Sequence, residues 1–321
     1  MEAKDIQSVA CVGAGVIGYS WALYFSFKKL TVYVYDLTDE KLNLAKKRIH
    51  ESLLSLMKND VITESEIEEI ENRIYYTTSM EEAVRNVQFI TESGPENYDI
   101  KKDMAKQMEQ YASPQAIIAS STSGLLVSEI ASVAEHPERF IGAHPYNPPH
   151  LIPLVELTKG EKTTPEVLET AKSFYQMIGK EPVVLQKEAL GFICNRIQMA
   201  LYREVASLVM NGVCTIEDAD KAVTFGPGLR WAIMGPSLVF ELGGGEGHID
   251  GLMKHLNPSI SLWLHDMADF KDFPEEFPQI AREGVEASLR NRPAEIGNDD
   301  SSLAEYRDKM LIELLKLHHK L

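Results

Sequence analysis

Four side chains in this chain are of the types that carry out acid–base chemistry: a serine, a histidine, a glutamate and an asparagine. Ser123 and His144 each follow a short apolar stretch, and Asn195 lies near the start of a helical segment. Glu156 interrupts the apolar run L-V-E-L, where a buried carboxylate would need a partner. Imidazole exchanges a proton near neutral pH, and hydroxyl and amide groups hydrogen-bond a reacting oxygen. These residue types suit proton transfer at an oxygen atom of a small substrate.

The glycine-rich run G-A-G-V-I-G predicts a dinucleotide site. An apolar strand precedes it, a helix follows it, and a second strand ends in Asp36, close to the spacing of about 20 residues typical of such sites. The glycines permit a tight turn and a close approach of the pyrophosphate, and the helix N-terminus attracts phosphates. Asp36 is expected to bind the adenosine ribose and to repel a 2′-phosphate, so we expect NAD rather than NADP. The residues of this predicted cofactor site are Gly13, Gly15, Val16, Ile17, Gly18 and Asp36.

Alternating strand and helix patterns position these residues in the first half of the chain. Strands separated by helices predict an α/β fold with a doubly wound, mostly parallel sheet of the Rossmann type. The carboxyl ends of the strands of such a sheet face the ligand. The predicted strands are 8–12, 31–35, 87–92, 116–120 and 140–143, and the predicted helices are 16–27, 39–58, 63–73 and 100–110.

The pattern changes near residue 189, after which the apolar periodicity is almost entirely helical. Helices are predicted at 193–209, 215–225 and 303–317. We therefore predict an NAD-binding domain over residues 1–189 and an all-helical substrate and dimerisation domain over residues 190–321.

The joint motif pattern resembles the 3-hydroxyacyl-CoA dehydrogenase superfamily over essentially the whole chain. Members carry a serine in S-[NS]-T-S, a histidine in H-x-x-N-P, a glutamate twelve residues later and an asparagine in G-F-x-x-N. Ser123, His144, Glu156 and Asn195 match these positions. The resemblance implies NAD-dependent oxidation of a secondary alcohol, with His144 as general base and Glu156 accepting its second N–H. It also implies that Ser123 and Asn195 bind the substrate oxygen, and that the C-terminal domain forms a homodimer.

Glu96 and Lys101 extend the predicted cofactor site. The run E-N-Y-D-I-K resembles the family's E-N-x-x-x-K, which lies near the nicotinamide ribose. This chain departs from the family in having Gly94-Pro95, where members often have Val-Pro or a similar pair. The alternative for Lys101 is an exposed lysine at a helix start.

Composition limits the possible partners. The net charge of −16 argues against nucleic acid and gives no long-range attraction for polyanions such as coenzyme A thioesters. The negative charge favours a small neutral, zwitterionic or cationic substrate.

The three cysteines include no C-x-x-C pair, so they predict neither a disulfide framework nor a metal site, and a cytoplasmic location is expected. The acidic N-terminus is unlike a signal peptide, and no apolar run is long enough to span a membrane.

The G-L-R-W-A run at 228–232 resembles one branch of the superfamily, which holds L-gulonate 3-dehydrogenase, lambda-crystallin and L-carnitine 3-dehydrogenase. The S-S-T-S-G-L-L and H-P-Y-N-P runs are most similar to the carnitine enzymes, and they predict oxidation of L-carnitine to 3-dehydrocarnitine. A trimethylammonium group needs aromatic faces, and a carboxylate needs a bidentate partner. The candidate faces are Tyr146, Tyr202, Trp231 and Phe240, and the candidate carboxylate partner is Arg230.

Alternatives remain at this point. The aromatic residues could pack in a helical core, and Arg230 could belong to a structural ion pair. The substrate could be a gulonate-like sugar acid or a 3-hydroxyacyl-CoA thioester. A non-enzymatic, crystallin-like protein is a third class, against which the four intact motif residues weigh.

Overall fold

A computed structural model describes all 321 residues of the chain. They form two compact units. The first contains Met1–Asn195 together with Arg307–Leu321, and the second contains Arg196–Tyr306.

One eight-stranded sheet forms the centre of the first unit. Its strands are β1 (Ser8–Val12), β2 (Thr31–Tyr35), β3 (Ile74–Thr77), β4 (Phe89–Glu92), β5 (Ile117–Ser120), β6 (Phe140–Pro145), β7 (Leu154–Lys159) and β8 (Glu181–Val184). They lie in the order β3-β2-β1-β4-β5-β6-β7-β8. All neighbouring pairs are parallel except β6 and β7, which are antiparallel.

Helices lie in every connection between consecutive strands except that from β6 to β7, and they make up most of the C-terminal part of the chain. They are α1 (Val16–Phe27), α2 (Asp39–Lys58), α3 (Glu64–Glu71), α4 (Met80–Val84), α5 (Tyr98–Tyr111), α6 (Val127–Ile130), α7 (Pro165–Met177), α8 (Cys194–Met210), α9 (Ile216–Phe225), α10 (Pro227–Trp231), α11 (Pro236–Gly243), α12 (His248–Asp266), α13 (Phe277–Asn291) and α14 (Asp300–Leu317).

Burial explains why the central strands are rich in apolar residues. Every residue of β4 and β5 is buried, as expected for parallel strands covered by helices on both faces. Helix α1 contributes a large aromatic surface to this core. Trp21 stacks on Phe25 at 4.9 Å between ring centroids, and Phe25 stacks on Phe174 of α7 at 6.0 Å. This packing fixes α1, and with it the glycine loop, against the sheet.

The predicted fold class is confirmed: a Rossmann-type, mostly parallel sheet is followed by a helical part. The first four elements, β1, α1, β2 and α2, have the predicted bounds. Three strands were not predicted. These are β3, which is short and lies beside charged helices; β7, which runs antiparallel; and β8, which contains Pro182 and lies at the sheet edge, where proline is tolerated.

The C-terminal segment corrects the predicted domain division. Residues 190–321 were assigned to one helical domain, whereas Arg307–Leu321 belongs to the first unit. The reason is apolar packing, because Ile312 and Leu315 of α14 are buried in the hydrophobic core that contains α1 and α2. The first unit ends at Asn195, six residues after the predicted boundary at residue 189.

The second unit consists of helices and leaves many large apolar side chains exposed. Phe225, Leu262 and Trp263 are 71%, 73% and 59% exposed. No helix of the chain has both the length and the apolar character needed to cross a membrane. The three cysteines are free thiols, and a cytoplasmic location stays a prediction.

Candidate active site

The glycine loop between β1 and α1 has the backbone geometry of a phosphate-binding turn. Gly13 adopts a φ of +100°, which a side chain would strain. A Cβ atom on Gly18 would lie 1.7 Å from the carbonyl oxygen of Gly13, so only glycine allows helix and loop to meet here. Gly15 faces open space and is the N-cap residue of α1, directly before Val16 and Ile17. No side chain caps the helix there. The first N–H groups of α1 can therefore bind an anion.

Asp36 follows β2 and is held by the same loop. Its Oδ2 accepts a hydrogen bond from the N–H of Ala14 at 2.8 Å, and its Oδ1 accepts one from Leu37 at 2.7 Å. Lys41 Nζ lies 3.2 Å from Oδ1. A carboxylate has about four lone-pair sites, so at least one remains for a ribose hydroxyl group beside these three contacts. Glycine loop and carboxylate together fit the adenosine and pyrophosphate of a dinucleotide.

His144 and Glu156 are direct partners across the antiparallel strands β6 and β7. The Nδ1 atom of His144 lies 2.8 Å from Oε2 of Glu156. Both residues are buried, with 6% and 0% of their surfaces exposed. Because an ionised carboxylate can only accept, we assign the ring proton to Nδ1, which leaves a lone pair on Nε2. The ring is thus oriented as a proton acceptor.

The second oxygen of Glu156 binds the turn that leads into α8. Its Oε1 accepts hydrogen bonds from the N–H groups of Ile193 at 2.8 Å and Cys194 at 3.0 Å. Burial raises the pKa of Glu156 and is the largest single influence. Hydrogen bonds from His144, Cys194 and Ile193 together outweigh it and hold the pKa below its ordinary value. Glu156 is therefore ionised at neutral pH.

Two aromatic rings pack against the imidazole of His144. Phe192 and Tyr146 each lie edge-on at 5.7 Å between centroids. Burial raises the pKa of the Tyr146 phenol, and burial with the adjacent charge of Glu156 raises the pKa of the Cys194 thiol to about 11. Neither the phenol nor the thiol is therefore a base at neutral pH.

Ser123 and Asn195 meet at the same turn. The Nδ2 atom of Asn195 donates to the backbone oxygen of Ser123 at 2.7 Å, and the hydroxyl of Tyr146 lies 3.4 Å from Asn195 Oδ1. The N–H of Gly191 donates to the oxygen of Gly124 at 3.3 Å, just beyond Ser123. The structure thus gathers the four predicted residues around the segment 191–195.

A buried ion pair that the sequence did not predict lies beneath the Ser123 loop. Lys101 and Glu92 are each 1% exposed, and Lys101 Nζ donates to the two carboxylate oxygens at 2.9 and 3.1 Å. Ser120 Oγ donates to the same carboxylate at 2.5 Å. The sequence signal that could have revealed this pair is the one used for Glu156, because Glu92 is also an acidic residue within an apolar run. The alternative of an exposed Lys101 is wrong, and its direct contact with the cofactor stays a prediction.

Glu96 contacts both Lys101 and the loop that carries Ser123. Its Oε1 accepts hydrogen bonds from Thr122 Oγ1 at 2.6 Å and from the N–H of Ser123 at 2.7 Å. Lys101 Nζ lies 3.6 Å from the other oxygen of Glu96. Glu96 therefore orders the backbone at Ser123, in addition to its predicted place in the cofactor site.

The five candidate substrate residues have different surroundings. Tyr146 lies beside the His144–Glu156 pair, as described above. Tyr202 packs its ring against two phenylalanine rings of the second unit at 5.9 and 5.7 Å, which agrees with the packing alternative. Trp231 and Phe240 are 41% and 46% exposed, and Arg230 is exposed without an ion pair. The substrate roles of Arg230, Trp231 and Phe240 stay predictions.

Two family models match most of the chain. The model for the 3-hydroxyacyl-CoA dehydrogenase NAD-binding domain matches residues 8–189, and that for the C-terminal domain of the same enzymes matches residues 191–278. An L-carnitine dehydrogenase of Streptomyces griseus is 35% identical over 98% of this chain and 90% of its own length. A 3-hydroxyacyl-CoA dehydrogenase of Gibberella moniliformis is 35% identical over 99% of this chain and 97% of its own length.

Solved structures resemble the whole chain. The NAD⁺-dependent 5-formyl-3-hydroxy-2-methylpyridine 4-carboxylic acid 5-dehydrogenase has a TM-score of 0.78 at 26% identity, covering 98% of this chain and 97% of its own. FadB2 of M. tuberculosis has a TM-score of 0.70 at 25% identity, covering 87% of this chain and 95% of its own. The NAD-binding family model spans the sheet, the glycine loop and Asp36. The cofactor of this protein is therefore NAD, as the sequence predicted.

Proposed function

Since this chain belongs to the 3-hydroxyacyl-CoA dehydrogenase family, we propose that it oxidises the 3-hydroxyl group of L-carnitine to 3-dehydrocarnitine, with His144 as the general base. The family assignment already makes it an NAD-dependent enzyme of 3-hydroxy substrates. The observation that carries the proposed chemistry is the buried His144–Glu156 pair. When bound, NAD supplies the oxidising nicotinamide that accepts hydride from the substrate carbon.

The proton chemistry follows from the orientation of the imidazole. With the proton of Nδ1 directed at Glu156, Nε2 is the atom that takes the hydroxyl proton as the C–O bond becomes a carbonyl. Ionised Glu156 then stabilises the imidazolium that forms. The carboxylate is fixed in turn by the two backbone N–H groups of the 193–194 turn, so it cannot rotate away.

Ser123 and Asn195 are proposed to bind the substrate oxygen. The Ser123 hydroxyl is exposed, while its backbone is held by Glu96 and Asn195. One N–H of the Asn195 amide donates to Ser123, and the second can donate to the substrate oxygen. Preorganised donors of this kind favour the developing carbonyl.

L-Carnitine is supported by three observations. A near-full-length relative is named L-carnitine dehydrogenase. The net charge of −16 suits a zwitterion with a cationic end. Tyr146 lies beside His144 and offers an aromatic face there, while Trp231, Phe240 and Arg230 of the second unit stay predicted substrate residues. The second candidate, a 3-hydroxyacyl-CoA thioester, is favoured by the equally similar Gibberella relative.

A substrate panel tests the proposal. NADH formation is followed by absorbance with L-carnitine, D-carnitine, L-gulonate, 3-hydroxybutyrate and 3-hydroxybutyryl-CoA. We expect the highest kcat/KM with L-carnitine. A higher value with the thioester or with gulonate would move the assignment to that substrate class, and no turnover with any of the five would favour the crystallin-like alternative.

The role of His144 is tested by substitution. His144→Asn should lower kcat on the order of 10²–10⁴-fold, because the base is lost, while NADH binding followed by fluorescence stays within about twofold. The matched control is His50→Asn, because His50 forms a histidine–glutamate pair of 2.9 Å with Glu71 at the surface. Retention of near-normal kcat in His144→Asn would assign the base to another residue.

We also propose that the protein is a homodimer formed through its second unit. Large apolar side chains such as Ile197, Leu262 and Trp263 are between 59% and 73% exposed there, more than an isolated soluble protein usually shows in one region. Light scattering coupled to size exclusion should give twice the chain mass of 36.0 kDa. A mass equal to one chain would contradict the dimer without affecting the proposed reaction.

A further inference from the structure

Lys180 is a buried lysine that forms no ion pair. It is 3% exposed, and its Nζ donates to the backbone oxygens of Pro149 and of Ile152, the latter at 2.9 Å. The same Nζ lies 3.6 Å from the ring centroid of Tyr24 and 5.2 Å from that of Trp21. Burying an amine without a carboxylate is unfavourable unless other groups compensate. Here two carbonyl groups and two aromatic faces do so.

Burial, with a smaller contribution from the charge of Lys28, holds the pKa of Lys180 well below its ordinary value. The amine stays a hydrogen-bond donor in either protonation state. Its two contacts to the 146–153 connection therefore do not depend on its carrying a charge. The Nζ atom of Lys28, in contrast, lies over two aromatic rings, at 5.4 Å from the Tyr24 centroid and 4.8 Å from the Phe27 centroid.

The carbonyls that Lys180 binds belong to the connection between β6 and β7, residues 146–153. This connection joins the strand of His144 to the strand of Glu156. A second contact holds it, because Ser20 Oγ accepts from the N–H of His150 at 2.9 Å and lies 2.8 Å from His150 Nδ1. Within the connection, the N–H groups of Leu151 and Ile152 both donate to the oxygen of Pro148.

Helix α1 lies on the other side of these contacts. Ser20, Trp21 and Tyr24 are all α1 residues, and α1 begins at the glycine loop. We propose that Lys180 and the Ser20–His150 pair are positioning residues that lock the β6–β7 connection onto α1 and thereby hold His144 at a fixed place relative to the dinucleotide loop. This inference rests on the proposed role of His144.

The test compares Lys180→Met with Lys28→Met. Methionine keeps most of the length and apolar volume of lysine but removes the donor. We expect Lys180→Met to lower kcat roughly 10–100-fold, the effect of misplacing a catalytic group by about 1 Å. NADH binding should stay within about twofold of the unmodified protein, and Lys28→Met should keep near-normal kcat. Hydrogen exchange at Leu151 and Ile152 should accelerate in Lys180→Met alone.

The rates are measured with whichever panel substrate the unmodified protein oxidises best, and hydrogen exchange needs no substrate. Failure of the carnitine assignment is thereby kept distinct from failure of this inference. A Lys180→Met protein with normal kcat and a lowered melting temperature would overturn it, since Lys180 would then only stabilise the fold. Unchanged exchange at residues 151 and 152 would overturn it as well.

Should Lys180→Met not fold, Ser20→Ala tests the same clamp without touching the buried amine. We expect a smaller loss of kcat, with faster exchange in the 146–153 connection and unchanged NADH binding. Normal kcat and normal exchange in Ser20→Ala would overturn the inference.

Discussion

Three hydrogen bonds at Glu156 decide the ionisation of a fully buried carboxyl group. Because the folded chain lowers the pKa of Glu156 from its ordinary value of 4.5, the ionised form contributes stability above that pH. That contribution is lost as the pH falls through the folded pKa. Acidification should therefore weaken the fold partly through this one residue.

We predict that the free energy of unfolding falls less steeply on acidification below pH 4.5 in Glu156→Gln than in the unmodified protein. Urea unfolding over a pH series measures the two slopes. The control is Glu71→Gln, in the surface pair with His50, which should follow the unmodified protein. Parallel curves for Glu156→Gln and the unmodified protein would contradict the lowered pKa of Glu156.

The Glu156→Gln variant should also have a lower kcat than the unmodified protein. Glutamine presents an amide N–H to His144 Nδ1, which favours the tautomer without a lone pair on Nε2.

Asp36 is predicted to select NAD through its charge. Asp36→Ser should weaken NAD binding by about 1–3 kcal/mol, the value of hydrogen bonds to a charged group. The same change should improve the use of NADP, because the repulsion of a 2′-phosphate is removed and Lys41, now 3.2 Å from Asp36, loses its carboxylate. The measurement is kcat/KM with each cofactor.

The double variant Asp36→Ser with Lys41→Met is the control for this prediction. Its NAD binding should be as weak as that of Asp36→Ser. Its kcat/KM with NADP should not rise, because Lys41 is no longer there to bind the 2′-phosphate. An unmodified protein that used NADP as well as NAD would contradict the role of Asp36 outright.

At the scale of single residues, the sequence identified the motif residues that the structure brings together, but not the buried contacts that support them. The motif residues were predicted because their types and spacing are distinctive. Lys180 and the Glu92–Lys101 pair were not predicted, since a lysine pattern does not reveal which lysine folds inward. The acceptors of Lys180 lie 31 and 28 residues earlier in the chain, a separation that only the fold brings together.

At the scale of elements, the spacing of twelve residues between His144 and Glu156 is the register of two antiparallel strands. The sequence predicted one strand and an apolar run, but not their relative direction. Alternating strands and helices favoured parallel neighbours, and the connection 146–153 contains three prolines rather than a short hairpin turn. The antiparallel pair is what places the two side chains on adjacent backbones.

The approach of the Ser123 loop to the 191–195 turn depends on Gly124. A Cβ atom there would lie 2.7 Å from the nitrogen and 2.8 Å from the Cα of Gly191. Because both are backbone atoms, the two segments must separate. We predict that Gly124→Ala costs about 1–3 kcal/mol of stability and lowers kcat by displacing Ser123 and Asn195.

The matched control for this prediction is Gly251→Ala. Gly251 lies inside α12, and a Cβ atom there would contact nothing within 4 Å. Alanine should be neutral or stabilising by up to about 1 kcal/mol, because it favours helix. Chemical denaturation and kcat are measured for both variants. Normal kcat in Gly124→Ala would show that the turn tolerates the displacement.

At the scale of the whole molecule, the sequence predicted a sheet domain followed by helices. It did not predict that the C-terminal segment Arg307–Leu321 packs with the first unit. Helix α14 was predicted from its periodicity, which reports that one face is apolar but not what that face covers. Ile312 and Leu315 pack into the core of the first unit, 250 or more residues from its first helix in sequence. Such long-range packing is invisible to local pattern analysis.

The net charge of −16 leads to a prediction that separates the two substrate classes. A coenzyme A thioester carries several negative charges, and its approach to this protein is opposed by a field that salt screens over about 8–10 Å at physiological ionic strength. L-Carnitine has no net charge and feels little of that field. We predict that kcat/KM for 3-hydroxybutyryl-CoA rises several-fold between low and moderately high salt, whereas that for L-carnitine changes by less than about twofold. Rates are measured at saturating NAD, and the KM for NAD is followed separately because NAD is itself an anion. A thioester rate that falls with salt would reveal a local basic patch that overrides the net charge, and would favour the acyl-CoA assignment over the carnitine one.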